Sequence, residues 1–294
     1  MTNLAAKQSD IVETLPFVTA EVNYAGEISG RAVFDTVEPD KMNIAFVPST
    51  VQIRDVRKVR DTFNLDTHGF AYVRHSSEAA ARPELRDQNL TLQGVHSEIN
   101  EVYQSEIAAY LQQLTGAREV IAQTSGLLVR TSNRAKKKSW ATPATFVHLD
   151  FTEDSANKFL RWSLEETGID IKPYRRFMVF QTWRVISGPP QDSTLAICDG
   201  RSASGTDAVV MDSVIGPRDK PGAFFESRLC LANPAHQWYY LSDMEPEDLL
   251  IFKGFDSDIP HSMNAMHTAF DDPSATDQAI PRVSVEARFF AFFD

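Results

Sequence analysis

Two periods of hydrophobic repetition run along this chain. Residues 17–53 carry short alternating runs, "FVTAEVNYA", "RAVFDTV" and "NIAFVPSTVQIRDV", with Gly26 breaking the first from the second, which reads as strands and turns. Between 97 and 115 the period lengthens: Ile99, Val102, Tyr103, Ile107, Tyr110, Leu111 and Leu114 recur at three- and four-residue spacing, a helix that Gly116 stops. "REVIAQTSGLLVRT" returns to strand. Ala156, Phe159, Leu160 and Leu164 share a face over 155–167, predicting a second helix ended by Gly168 and Pro173. From 176 onward every run is short and rich in β-branched and aromatic residues, with Gly, Pro, Asp and Asn between runs. Many short strands preceded by helices predict a mainly β fold with flanking helices, a double-sheet barrel such as a jelly roll whose helices buttress one sheet. With no internal repeat or low-complexity linker, one domain over 1–294 is expected, residues 1–95 being a strand/helix extension and 96–294 the helix-buttressed jelly-roll core.

Composition narrows the classes. In 294 residues, 43% hydrophobic and 23% charged content is ordinary for a globular protein with a sizeable core. A formal charge of −11 argues against nucleic-acid partners and against docking on anionic membranes. Cys198 and Cys230 are the only cysteines, so no disulfide framework is implied and a reducing compartment fits. "MTNLAAKQSDIVETLPF" lacks a basic start followed by an apolar core, and no run approaches the ~20 apolar residues of a membrane span. A soluble cytoplasmic protein with a small-molecule partner is expected, a homodimer being left open. The basic run "RAKKKSW" is too short to change that.

Candidate chemistry concentrates in "TFVHLDFTED". In an extended chain the side chains at i and i+2 point to one face, so His148 and Asp150 would stand side by side. A buried His–Asp hydrogen bond is one reading and a pair of metal ligands the other. Two histidines and a carboxylate form a facial triad that leaves positions open on Fe(II). The third member could be His236, His261 or His267, or His68, His75 or His96 in the first half. In the last strand Arg282, Ser284, Glu286 and Arg288 alternate with Val283, Val285, Ala287 and Phe289. A solvated edge looks the same, but an Arg with a hydroxyl two residues on, both facing a barrel interior, suits a dicarboxylate. Arg184 and Arg130 either reach such a pocket or make structural ion pairs. His236 reads as packing before an aromatic cluster, and Asp199 with Arg201 as a turn closed by an ion pair.

In its order of His148-x-Asp150, a distant His267 and then Arg282-x-Ser284, the chain resembles the Fe(II)/2-oxoglutarate-dependent oxygenases. More narrowly it resembles the hydroxylase/desaturase family of the gibberellin desaturase, the aspergillic acid-type hydroxylase and relatives of the cephem methoxylase. The segments that carry this are "TWRVISGPPQDSTLAICDGRS", "HQWYYLSDMEPEDLLIFKGFDSD", "MHTAFDDP" and "PRVSVEAR", within about residues 95–294. The resemblance implies a double-stranded β-helix (jelly-roll, cupin-like) core with iron held by His148, Asp150 and His267, and with 2-oxoglutarate and O₂ as co-substrates. It implies Arg282 and Ser284 at the distal carboxylate of 2-oxoglutarate, with Arg288 the alternative and Arg184 a further candidate. The activity implied is oxidation of a C–H bond of a small natural product or amino-acid-derived metabolite, giving succinate and CO₂. One departure is His261, six residues before His267; it follows Pro260 in what reads as a loop, whereas His267 opens a strand, and rigid elements hold metal ligands better. A cupin-type metalloenzyme without 2-oxoglutarate and a non-catalytic jelly-roll binding protein are the alternatives.

Overall fold

In the computed structural model, which describes residues 14–83, 85, 97–135, 141–216, 222–258 and 264–294, two β-sheets face each other. Among the described residues the larger has nine strands in the order β1 (Phe17–Ala25), β3 (Phe46–Asp55), β12 (Trp238–Tyr240), β9 (Ser193–Cys198), β14 (His267–Asp271), β7 (His148–Leu149), β11 (Phe224–Cys230), β10 (Ala208–Val214) and β2 (Ala32–Asp35). The smaller runs β4 (Phe70–Arg74), β13 (Asp248–Asp256), β8 (Arg176–Val185), β15 (Val283–Phe293) and β5 (Glu119–Ala122), with β6 (Leu128–Thr131) also on β15. Among the described residues three α-helices flank them: α1 (Glu78–Ala81), α2 (Glu98–Thr115) and α3 (Glu153–Thr167). This is the expected mainly β jelly-roll.

Register on the smaller sheet decides which side chains face the interior. β8 and β15 are antiparallel with Gln181 opposite Arg288, Trp183 opposite Glu286 and Val185 opposite Ser284. Opposed residues share a face, so this set points to the barrel interior. The intervening set, including Arg184 opposite Val285, points outward. There α2 buries Tyr103, Ile107 and Leu111 against Met178, Phe180, Val285 and Phe289. Each such side chain contributes about 1.5–3 kcal/mol on full burial. The helix ends where the sequence stops it: Gly116 takes φ +68° and its N–H bonds the Gln112 carbonyl.

Helix α3 starts at Glu153, three residues before the apolar stripe begins at Ala156, because Thr152 and Ser155 cap each other reciprocally. Gly168 ends it with φ +66°. Its Ala156, Phe159 and Leu160 pack on Phe151, Val179, Phe290 and Phe292, closing one end of the sandwich. That early cap shortens the preceding strand. "TFVHLDFTED" supplies only the two-residue β7, and Asp150 sits in the bend that leads to the helix.

The N-terminal strands enter both sheets. β3 pairs in parallel with β12, β2 in parallel with β10, and β4 antiparallel with β13. Strand β4 was not singled out by the alternation, and "REVIAQTSGLLVRT" divides into β5 and β6 around Gly126 at φ +75°. The basic stretch 136–140, with His96 and His261, lies outside the described residues.

Candidate metal centre

His148 and His267 are directly opposed across β7 and β14, which brings their ring centroids to 4.3 Å. Asp150, two residues beyond His148, completes a group whose potential ligand atoms all lie within 4.8 Å of one another. Each member has its second polar atom engaged. His148 Nδ1 bonds the Phe146 carbonyl at 2.8 Å and His267 Nδ1 the Ala265 carbonyl at 3.2 Å. Carbonyls only accept, so each Nδ1 carries a proton and each Nε2 is the ring atom left for a ligand role. Asp150 Oδ2 accepts from Arg288 Nη2 at 2.5 Å, Arg288 Nε at 3.1 Å and Gln181 Nε2 at 2.7 Å. Asp150 Oδ1 is left 3.3 Å from His148 Nε2. Backbone and carboxylate contacts of this kind fix the tautomer and orientation of metal-binding side chains.

The electrostatics agree. Burial opposes ionisation of Asp150, yet the Arg288 guanidinium, aided by His148, holds its carboxyl well below the usual range. Burial, and then the neighbouring His148, push the His267 imidazole down to about 3, so it is neutral and available to coordinate. Two imidazoles and a carboxylate suit a divalent transition metal, and the donor set fits Fe(II) with positions left open.

Arg282 lies deeper. It is 1% exposed, stacks over the Trp183 ring at 5.6 Å and donates to the Thr194 carbonyl at 3.3 Å, but its Nε has no partner. Burial lowers it to about 10, still a cation at neutral pH. Ser284, fully buried on the same face, has an unpartnered Oγ. An unmet buried donor costs about 1–3 kcal/mol. Two of them on one strand face mark the place of an absent polar group, and a carboxylate meets both demands. A narrow cavity of about 30 Å³ lies between Arg282, Trp183, Leu195 and His267. It shares Arg130, His148, Asp150 and Arg288 with a wide cavity of about 670 Å³.

Other sequence candidates fall elsewhere. Arg184 is not brought to the centre. It is fully buried on the outward face, donates to the carbonyls of His75 and Pro246 at 3.2 and 3.1 Å, and lies over Tyr103. Arg130 does face both cavities, paired with Glu286 at 2.7 Å. His236 bonds Tyr24 Oη at 2.8 Å and Asp207 at 3.2 Å beside Trp238, a packing role. His68 packs on Phe63, and His75 pairs with Arg184. Asp199 and Arg201 form the expected turn with an ion pair at 2.6 Å. Gln181 escaped the sequence reading, although it shares the strand parity of Trp183. Phe34 and Phe46, from β2 and β3, line the wide cavity and also went unnoticed.

Comparisons with known proteins converge on one group. A family described as an oxidoreductase/YMDC permease-like domain matches residues 22–292. The Fe(II)/2-oxoglutarate-dependent dioxygenase nvfI of Aspergillus novofumigatus (strain IBT 16806) is 28% identical over 255 residues, 85% of each chain. The hydroxylase/desaturase CTB9 of Cercospora beticola is 28% identical over 83% of this chain and 76% of its own. The gibberellin cluster GA4 desaturase of Gibberella fujikuroi (strain CBS 195.34 / IMI 58289 / NRRL A-6831) is 26% identical over 83% of this chain and 86% of its own. Among solved structures, the iron and alpha-ketoglutarate-dependent endoperoxidase NvfI superposes with a TM-score of 0.78 at 23% identity, covering 94% of this chain and 98% of that one. That likeness establishes the fold.

Proposed function

The chain belongs to the oxidoreductase/YMDC permease-like family, and from that premise we propose that it is a non-haem Fe(II)/2-oxoglutarate-dependent dioxygenase. It oxidises a C–H bond of a small natural product, as the names of its relatives imply for them. The observation that carries the reading is the pairing of two sites: a His148, Asp150, His267 group with its outer atoms engaged, and beyond it a buried Arg282 and Ser284 with unmet donors. The second site favours a 2-oxoglutarate enzyme over a cupin-type metalloenzyme, which would need no buried dicarboxylate anchor. It equally disfavours a non-catalytic binding protein. We take the chain as one cytoplasmic domain.

His148, Asp150 and His267 would hold the iron. When bound, iron with 2-oxoglutarate and O₂ supplies the oxidising power, and 2-oxoglutarate leaves as succinate and CO₂. The protein's own residues bind and orient. Nε2 of each histidine and Oδ1 of Asp150 face the metal position because Phe146, Ala265, Arg288 and Gln181 occupy the opposite atoms. Arg282, with Ser284 two residues on, would receive the distal carboxylate beside Trp183 and Leu195. Arg288 is thereby assigned to Asp150 rather than to the co-substrate. Whether the outcome is hydroxylation, desaturation or ring formation is decided by how the substrate sits.

Protein supplied with Fe(II), 2-oxoglutarate and O₂ is expected to form succinate slowly even with no second substrate, and His267→Ala to form none. Metal uptake with no consumption of 2-oxoglutarate would replace this reading with the cupin-type one.

A further inference from the structure

The wide cavity says what kind of molecule is oxidised. We propose that the substrate is uncharged and largely apolar, fills the cavity of about 670 Å³ beside His148 and Asp150, and is oriented by a hydrogen bond to the side-chain amide of Gln123. This deepens the oxygenase reading, and rests on it only in calling the occupant a substrate.

Size comes first. The volume corresponds to roughly 20 water-sized groups, within the range of sites that enclose drug-sized ligands. A free amino acid would leave most of it unfilled. The walls come next. Phe34, Phe46, Phe146, Phe159, Trp162 and Phe225 supply aromatic surface, and the rings of Phe34 and Phe46 lie 5.2 and 5.1 Å from that of Phe146.

Charge then excludes ions. Among the described lining residues the two cations already have anions. Arg130 pairs with Glu286 at 2.7 Å, and Arg288 pairs with Asp150 at 2.5 Å with Glu286 at 3.7 Å. The facing hydroxyls of Ser213 and Ser227 satisfy each other at 2.7 Å. Among the described lining residues an ionised substrate would find no unpaired counter-charge, and burying a charge unpaired costs more than apolar contact returns. By contrast Arg282, a buried arginine whose Nε has no partner, lines the narrow cavity and not the wide one.

Among the described lining residues one buried side-chain polar atom has no partner. Gln123 is 3% exposed and its Oε1 has no partner. Its backbone N–H donates to the Arg288 carbonyl at 2.8 Å, which sets the residue beside the one that grips Asp150. An amide accepts from a hydroxyl and donates to a carbonyl. A single such contact in an apolar chamber orients the molecule without charge.

Two fluorescent probes with the same rings test this on the full-length chain: uncharged N-phenyl-1-naphthylamine, and 8-anilinonaphthalene-1-sulfonate, which adds a sulfonate. The neutral probe is expected to bind at one site, and the anionic one at least about tenfold more weakly, because its charge would be buried unpaired. Ser227→Phe, which fills the cavity, and Phe46→Lys, at its exposed rim, should each weaken the neutral probe by a similar factor with circular dichroism unchanged. The rim variant keeps the test decisive should the filled one fail to fold. In displacement, 1-naphthol should outcompete naphthalene severalfold, and Gln123→Leu should erase that difference. Equal affinity for both probes, no binding of the neutral probe, or binding indifferent to both cavity variants overturns the proposal. Probe binding needs neither iron nor turnover, so its failure is distinct from a failure to form succinate.

Discussion

Arg282 and Arg288 stand six residues apart on one strand face, and among the described residues only the Arg288 side chain is paired with a carboxylate, so the two should differ in role. Arg288→Met should free Asp150 Oδ2 and weaken Fe(II) binding by about 10–100-fold, the usual effect of losing a partner behind a metal ligand. Arg282→Ala should leave Fe(II) affinity near wild type and raise the 2-oxoglutarate requirement on the order of 100-fold, as expected for a buried charge pair that loses one member. Isothermal titration with each ligand separates the two, and an exchange of these phenotypes would reverse the assignment. At this scale the sequence was informative wherever two functional atoms share a strand face. His148 with Asp150 and Arg282 with Ser284 were visible at i and i+2. Arg184 was misleading for the same reason, since its neighbour Trp183 faces the interior and adjacent strand residues face opposite ways. Gln181 was hidden because a lone amide in an apolar strand carries no signal until its cross-strand partner is known.

Among the elements, the strongest periodic signals held. Helix α2 was legible from seven apolar positions and a glycine stop, and α3 from its stripe, though its first turn was set by a cap rather than by apolar spacing. Strand β7 was overestimated because that cap draws the chain away after Leu149. Strand β13 contains a further constraint. A Cβ on Gly254 would come within 2.7 Å of both Gln181 Oε1 and the Phe151 ring, where the register shifts between Lys253 and Phe255. Gly254→Ala should therefore cost about 1–3 kcal/mol through overpacking. By displacing the amide that bonds Asp150 it should also lower Fe(II) affinity. Thermal melting together with a metal titration checks both, and a variant unchanged in either respect would show that Gln181 does not support the carboxylate.

Across the whole molecule, strands drawn from before residue 95 complete both sheets and line the wide cavity, which short alternating runs could not reveal because strand pairing is long-range. Stability against acid is set at this level too. Burial opposes ionisation of Asp248, but the Glu245 N–H and Arg57, with Arg74 also in contact, hold its carboxyl low; Arg176 does the same for buried Asp256. A carboxyl depressed in the folded state stabilises above its unfolded value of about 3.9 and loses that contribution as pH falls toward the folded value. The melting temperature should accordingly change little from neutral pH to about 5 and drop below about pH 4. A protein equally stable at pH 3 and 7 would contradict this. The central claim, that one metal group and one buried cation together hold iron and 2-oxoglutarate, is tested most directly by anaerobic absorption titration. Fe(II) alone should give no visible band. Added 2-oxoglutarate should raise a weak charge-transfer band that is absent from His148→Ala, Asp150→Ala and His267→Ala and shifted to higher 2-oxoglutarate in Arg282→Ala. Iron binding with no band on adding 2-oxoglutarate, or a full band in His267→Ala, would contradict the account.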